Sequence, residues 1–156
     1  MPTGACVFDL DDTLTCRGDK CSAGKIKAMH KTIERCVAND MAIEVNTARP
    51  RQPNMLWGVP ATIAEKLKQH KAHVYYRPSN SRHSVAEQKL LHMYAIAKKW
   101  NIKKKKSLVL FDDRLDTCQH LQKNGVSAIH VKQRNGIGAR ECSVLKKTLR
   151  QMSSRA

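Results

Sequence analysis

Six of the chain's 13 acidic residues fall in two short segments. Asp9, Asp11 and Asp12 belong to Phe8-Asp9-Leu10-Asp11-Asp12-Thr13-Leu14, and Asp112, Asp113 and Asp116 to Phe111-Asp112-Asp113-Arg114-Leu115-Asp116. Each segment directly follows a short apolar run. Carboxylates crowded in this way repel one another unless a cation holds them. Hard oxygen donors with no paired His or Cys nearby favour Mg²⁺ over zinc. Helix capping would account for Asp12 or Asp116, but not for the whole set.

Phosphoryl chemistry would also require hydroxyl or cationic groups to hold a dianionic phosphate beside those acids. Asn46-Thr47-Ala48-Arg49 offers a hydroxyl and a guanidinium after a third apolar run. Lys89, in Glu87-Gln88-Lys89-Leu90-Leu91, offers an ammonium from a segment of helical period, with Lys98 and Lys99 as alternatives nearby.

The elements that must position these groups alternate along the chain. Val- and Ile-rich runs predict strands near 5–9, 42–46, 72–76, 107–111 and 127–131. Helical spacing predicts helices over about 25–38, 60–70, 84–100, 116–124 and 139–151, the fourth stopped by Gly125. This order implies an α/β fold: a Rossmann-like, five-stranded parallel sheet flanked by helices. In such a sheet the ligand crevice lies at the carboxyl ends of the strands, where both acidic segments would meet. Residues 1–151 read as one domain, and Met152 to Ala156 as a fraying tail.

The chain has 156 residues, 41% of them hydrophobic, and a formal charge of +16. That combination excludes a disordered acidic tail, a collagen-like rod and a disulfide miniprotein. The N-terminal residues lack a secretory pattern and no apolar run could span a bilayer, so an intracellular protein without a membrane partner is expected. Six cysteines without CxxC spacing are then expected as reduced thiols, although Cys16 and Cys21 are close enough to pair if the chain between them turns back.

Taken in order, these motifs resemble the haloacid dehalogenase (HAD) superfamily of phosphohydrolases, over Val7 to about Val131. Asp9-Leu10-Asp11-Asp12-Thr13 is similar to the family's first motif, with Asp at position 12 where Gly is common. Thr47 is similar to the second-motif hydroxyl, Lys89 to the third-motif lysine and Asp112-Asp113 to the paired-acid form of the fourth. The resemblance implies a phosphatase in which Asp9 is the nucleophile and Asp11 the general acid and base. It implies Mg²⁺ held by Asp9, the Asp11 backbone carbonyl and the Asp112-Asp113 pair, with Thr47 and Lys89 on phosphate and Arg49 adding contacts outside the reacting group.

The short intervals between motifs leave no room for a large cap, so the site should be open to a phosphate carried on something large. Excess Lys and Arg would attract a polyanion. The expected substrate is therefore a phosphoprotein or a nucleic-acid end. The alternative is a non-catalytic, basic nucleic-acid-binding protein on the same scaffold, although 4% aromatic content gives no stacking motif. The run Lys103 to Lys106 reads as a solvated connection, His70 and His73 as surface residues, and His83 as a loop residue leading towards Lys89.

Overall fold

Successive residues of a strand point to opposite faces of a sheet, and the first strand is apolar on both. In the computed structural model, which describes residues 1–154 apart from the side chains of Asp19, Gln133 and Ser154, β1 spans Gly4–Phe8 and is buried throughout. Cys6 and Phe8 face one core, and Ala5 and Val7 the other. Such two-sided burial marks the centre of a parallel sheet. The other strands are β2 (Met41–Asn46), β3 (Val74–Tyr75), β4 (Leu108–Asp112) and β5 (Ser127–His130). All pair in parallel, in the order β3-β2-β1-β4-β5.

Helices α1 (Ala23–Ala38), α2 (Ala61–Gln69) and α5 (Ala139–Ser154) cover the Phe8 face, through Met29, Ile33, Ile63, Leu67 and Leu145. Helices α3 (Val85–Trp100) and α4 (Leu115–Lys123) cover the Val7 face, through Leu90, Met93, Ile96 and Leu121. The architecture is the expected Rossmann-like α/β sheet, with no large cap. Between Thr13 and Thr47 the chain forms a loop with one 3-10 turn at Arg17–Asp19, then α1 and β2. Between Thr47 and Lys89 it forms loops, α2, the two-residue β3 and the first turn of the helix that carries Lys89.

Strand order reverses between β1 and β4, and there the two acidic segments emerge side by side. Phe8 and Phe111 are register partners, and their rings stack with centroids 4.9 Å apart and planes 8° from parallel. Each ring immediately precedes an acidic residue, so this apolar layer sets the separation of Asp9 and Asp112.

Two expectations need correction. Cys6 pairs with Cys36, and Cys16 with Cys21, while Cys118 and Cys142 are free and buried. Cys6 points from β1 at the inner stripe of α1, which brings the Cα atoms of the first pair to 6.3 Å. The second pair closes because the chain turns back at Gly18, whose φ of +75° suits a residue without a Cβ. Helix α5 also runs to Ser154 rather than ending at Gln151, because Met152 continues the apolar stripe of Leu145 and Leu149 onto the core. Arg155 and Ala156 lie outside the described residues.

Phe111→Ala should cost about 3–5 kcal/mol of unfolding free energy by chemical denaturation, and Phe111→Leu clearly less. A loss under about 1 kcal/mol would show that the stacked layer is not a stability determinant.

Candidate active site

The reversal of strand order opens a crevice at the carboxyl ends of β1 and β4. The ladder continues past the strand itself, with Asp9 N donating to Phe111 O at 2.9 Å, so Asp9 is held as firmly as a strand residue. Asp9, Asp112 and Asp113 each bring a carboxylate oxygen within 4.8 Å of the others, and all three are buried. This is the expected acidic convergence, and its all-oxygen, anionic donor set fits a hard divalent cation such as Mg²⁺. Among the described residues no other group of three His, Cys, Asp or Glu side chains is so placed.

Lys89 reaches the cluster from the opposite side. Its Nζ donates to Asp9 Oδ1 at 2.8 Å and to Asp112 Oδ2 at 2.5 Å. Burial opposes its charge, but the two carboxylates outweigh burial and raise the ammonium's pKa. Helix α3 is capped by Ser84, whose hydroxyl accepts from Glu87 N at 3.1 Å. Lys89 then shares the buried stripe with Leu90, Met93 and Ile96, while Leu91 is exposed. A lysine at a core-facing position separates Lys89 from its alternatives. Lys98 is exposed, and Lys99 pairs with the buried Glu44 at 2.8 Å.

Asp9 is tied at both oxygens, since Thr13 Oγ1 donates to Oδ2 at 3.2 Å. Burial raises its carboxyl to about 8; Asp112 and Asp113 add to the effect and Lys89 opposes it. The tight turn after it places Asp12 at φ +60°, the left-handed region. That explains why glycine suits this position, and Asp is among the side chains that tolerate it.

The side chain of Asp11 stands apart from the carboxylate cluster. It is 56% exposed and gripped by Arg49, with Nη2 at 2.8 Å from Oδ1 and Nε at 3.1 Å from Oδ2. The remaining Arg49 nitrogen, Nη1, donates to the carbonyls of Met55 and Trp57 at 2.9 and 2.8 Å, and the guanidinium lies 4.0 Å from the centre of the Trp57 ring. Arg49 was expected to add phosphate-side contacts outside the reacting group. It is buried and joins Asp11 to the 50–59 loop. Thr47 is buried at the end of β2, and its hydroxyl accepts Arg49 N at 3.1 Å, which leaves the hydroxyl proton for another acceptor.

Two contributions had no signal in the sequence. Arg134, from the loop after β5, donates through Nε to Asp113 Oδ2 at 3.1 Å. One arginine among many in a basic chain carries no distinguishing pattern. The second is a hydrogen-bonded chain behind Lys89. Asn46 Nδ2 donates to Lys89 O at 2.9 Å, so Asn46 Oδ1 must accept from His92 Nδ1 at 2.8 Å, and His92 Nε2 accepts from Gln88. Burial, reinforced by the Lys89 charge, lowers His92 to about 4, so the ring stays neutral as this chain requires.

His83 is exposed on its loop, 3.6 Å from Glu87, and His73 packs edge-on against Tyr75. Beside Asp113, a depression of about 420 Å³ is lined by Arg114, Asp116, His130 and Arg134.

No protein-family model matches the chain, and no curated protein matches it in sequence. Solved structures do match its shape. An uncharacterized protein from Corynebacterium glutamicum superposes with a TM-score of 0.58 at 12% identity, covering 94% of this chain and 95% of that one. A hypothetical protein from Xanthomonas campestris gives 0.56 at 19%, covering 97% and 86%. The core domain of a candidate phosphoglycolate phosphatase from Streptococcus pneumoniae gives 0.53 at 11%, covering 95% and 98%. At such identities the likeness defines the fold, an open α/β sheet of the doubly wound kind, and the chemistry must be read from the side chains. Among the described residues no helix is long and apolar enough to cross a membrane.

The Asp9 carboxyl links pH to metal binding. Its folded value of about 8 lies above the ordinary 3.8, so its contribution to stability is full below 3.8 and is lost as pH rises through about 8. A bound cation competes with that proton. Mg²⁺ should therefore raise the melting temperature most at and above pH 8 and progressively less below it. A Mg²⁺ effect independent of pH from about 6 to 9 would contradict this linkage.

Proposed function

We propose that the chain is a HAD-type, Mg²⁺-dependent phosphomonoesterase. The observation that carries the reading is the buried group of Asp9, Asp112 and Asp113 around Lys89, with Asp11 held separately at the mouth by Arg49. Mg²⁺, bound by Asp9, Asp112, Asp113 and the Asp11 carbonyl, would neutralise the charge between a carboxylate nucleophile and an anionic phosphate.

Asp9 attacks phosphorus with one carboxylate oxygen; Asp11, whose two oxygens both accept from Arg49 in the resting site, takes a proton from solvent and gives it to the leaving oxygen as that P–O bond breaks. Asp11, now a carboxylate, takes a proton from water. The water oxygen attacks the same phosphorus, and the P–O bond to Asp9 breaks to release inorganic phosphate. Thr47 and Lys89 hold the phosphate oxygens, Thr13 and Lys89 fix the Asp9 rotamer, and Arg49 keeps Asp11 facing the leaving group. A fork is needed for that last task, because a single point charge would not set the plane of the carboxylate.

The uncapped crevice and the chain's formal charge of +16 favour a phosphate borne by a large polyanion, a nucleic-acid end or a phosphoprotein. The second reading, a non-catalytic nucleic-acid-binding protein on this scaffold, draws on the +16 charge alone.

Mg²⁺-dependent phosphate release from an aryl phosphate should fall at least about 10³-fold in Asp9→Asn. An inert wild type that still binds DNA would instead favour the second reading. Comparing 3′- and 5′-phosphorylated oligonucleotides, phosphopeptides and free nucleotides identifies the substrate class, and turnover of small metabolites alone would refute the open-site reading.

Arg49→Lys should lower kcat by about 10²-fold with KM for aryl phosphate little changed, because charge is kept while the orientation of Asp11 is lost. A rise in KM at constant kcat would return Arg49 to direct phosphate binding.

A further inference from the structure

At the pole opposite the carboxylates, three shallow depressions adjoin along the C-terminal half of α5. The first, of about 540 Å³, shares Lys104, Ser107 and Met152 with the second, of about 460 Å³. The second shares Asn39, Leu149 and Ser153 with the third, of about 350 Å³. Thr3, Met41, Ser107 and Ser127 in their walls stand at or just before the starts of β1, β2, β4 and β5. The surface therefore lies at the amino ends of the strands, about 15 Å or more from the crevice at about 3.3 Å per strand residue.

Six bases line this continuous surface: Arg35, Lys104, Lys105, Lys106, Lys146 and Arg150. No Asp or Glu lines it. Among the described residues, none of the six has an acidic side chain within ion-pair distance, and all but Arg35 are exposed. Uncompensated charge of one sign at this density raises the local concentration of polyanions.

We propose that this surface binds the sugar-phosphate backbone of a nucleic acid, as a site separate from the crevice. The bases are strung across three depressions instead of converging on one point, which suits a row of phosphates better than a single phosphoryl group. None of the five exposed large apolar side chains lines the surface, so it has nothing to insert into a bilayer. The 104–107 segment is a short connection into β4, so its lysines are presented on backbone anchored by the sheet. This inference does not depend on the phosphatase reading, and a catalytically inert protein would retain the surface.

The test uses the full chain and a fluorescein-labelled DNA of about 20 nucleotides, single-stranded and duplex, followed by anisotropy at several salt concentrations. The variant Lys104→Glu/Lys106→Glu/Arg150→Glu should bind about tenfold or more weakly at ~0.1 M salt, with the log–log salt slope reduced by about 2–3. Lys20→Glu/Lys68→Glu/Arg82→Glu makes the same change in net charge on exposed positions that line none of these depressions and should lose less than about threefold. Lys104→Arg/Lys106→Arg/Arg150→Lys should bind as wild type, and melting curves confirm that each variant is folded. Equal losses in both Glu variants, or none in the first, would overturn the proposal. So would tighter binding of anionic vesicles or a multiply phosphorylated peptide than of DNA at this surface.

Discussion

Three buried carboxylates and one buried ammonium share a small volume, and the rest of the molecule is arranged around that fact. Two unit charges about 4 Å apart interact by about 4 kcal/mol at an effective dielectric constant of 20. Asp9, Asp112 and Asp113 therefore repel one another by several kcal/mol, and Lys89 offsets only part of the repulsion through its bonds to Asp9 and Asp112. Burial, with that repulsion adding to it, raises the Asp9 carboxyl's pKa, and the same excess of negative charge accounts for the recruitment of Arg134 to Asp113 and the fit of the site to a divalent cation. Asp11 escapes the crowd because Arg49 draws it to the mouth, so two aspartates separated by one residue have different electrostatic surroundings.

Such a cluster requires a rigid floor and braced walls. The stacked Phe8 and Phe111 rings and the fixed register of β1 with β4 supply the floor. Loops 12–15 and 134–138 brace each other: Gly136 N donates to Asp12 O at 2.7 Å and Ile137 N to Thr13 O at 2.9 Å. Gly136 has φ +80°, and a Cβ there would meet Cys16 Sγ at 2.7 Å, so the brace depends on a residue without a side chain. The Cys16–Cys21 pair closes the same loop from its far side. The loop that carries Arg134 to Asp113 is thus held against the first acidic motif.

Basic residues are sorted in space as well as in number. Near the crevice they are tied to acids: Arg49 to Asp11, Arg114 to Asp116 and Arg134 to Asp113. At the amino ends of the strands they are exposed and without acidic partners. The same residue types thus serve as orienting forks at one pole and as solvated charge at the other, and neighbouring carboxylates make the difference.

Fold class, the five strands and the five helices were legible in the sequence because hydrophobic period and punctuation by Gly and Pro are local properties. Asp9, Asp11, Asp112 and Asp113 were legible because acids directly after apolar strands are rare and conspicuous. Lys89 could be named but not separated from Lys98 and Lys99 until α3 showed which lysine faces inward. The role of Arg49, the recruitment of Arg134, the His92–Asn46 support of Lys89 and the Cys6–Cys36 pairing depended on contacts between residues far apart in the chain. Residue type and spacing determined which chemistry the chain could attempt. Only tertiary structure decided which charges share a buried volume, because desolvation and pairing energies depend on distances that the order of residues does not encode.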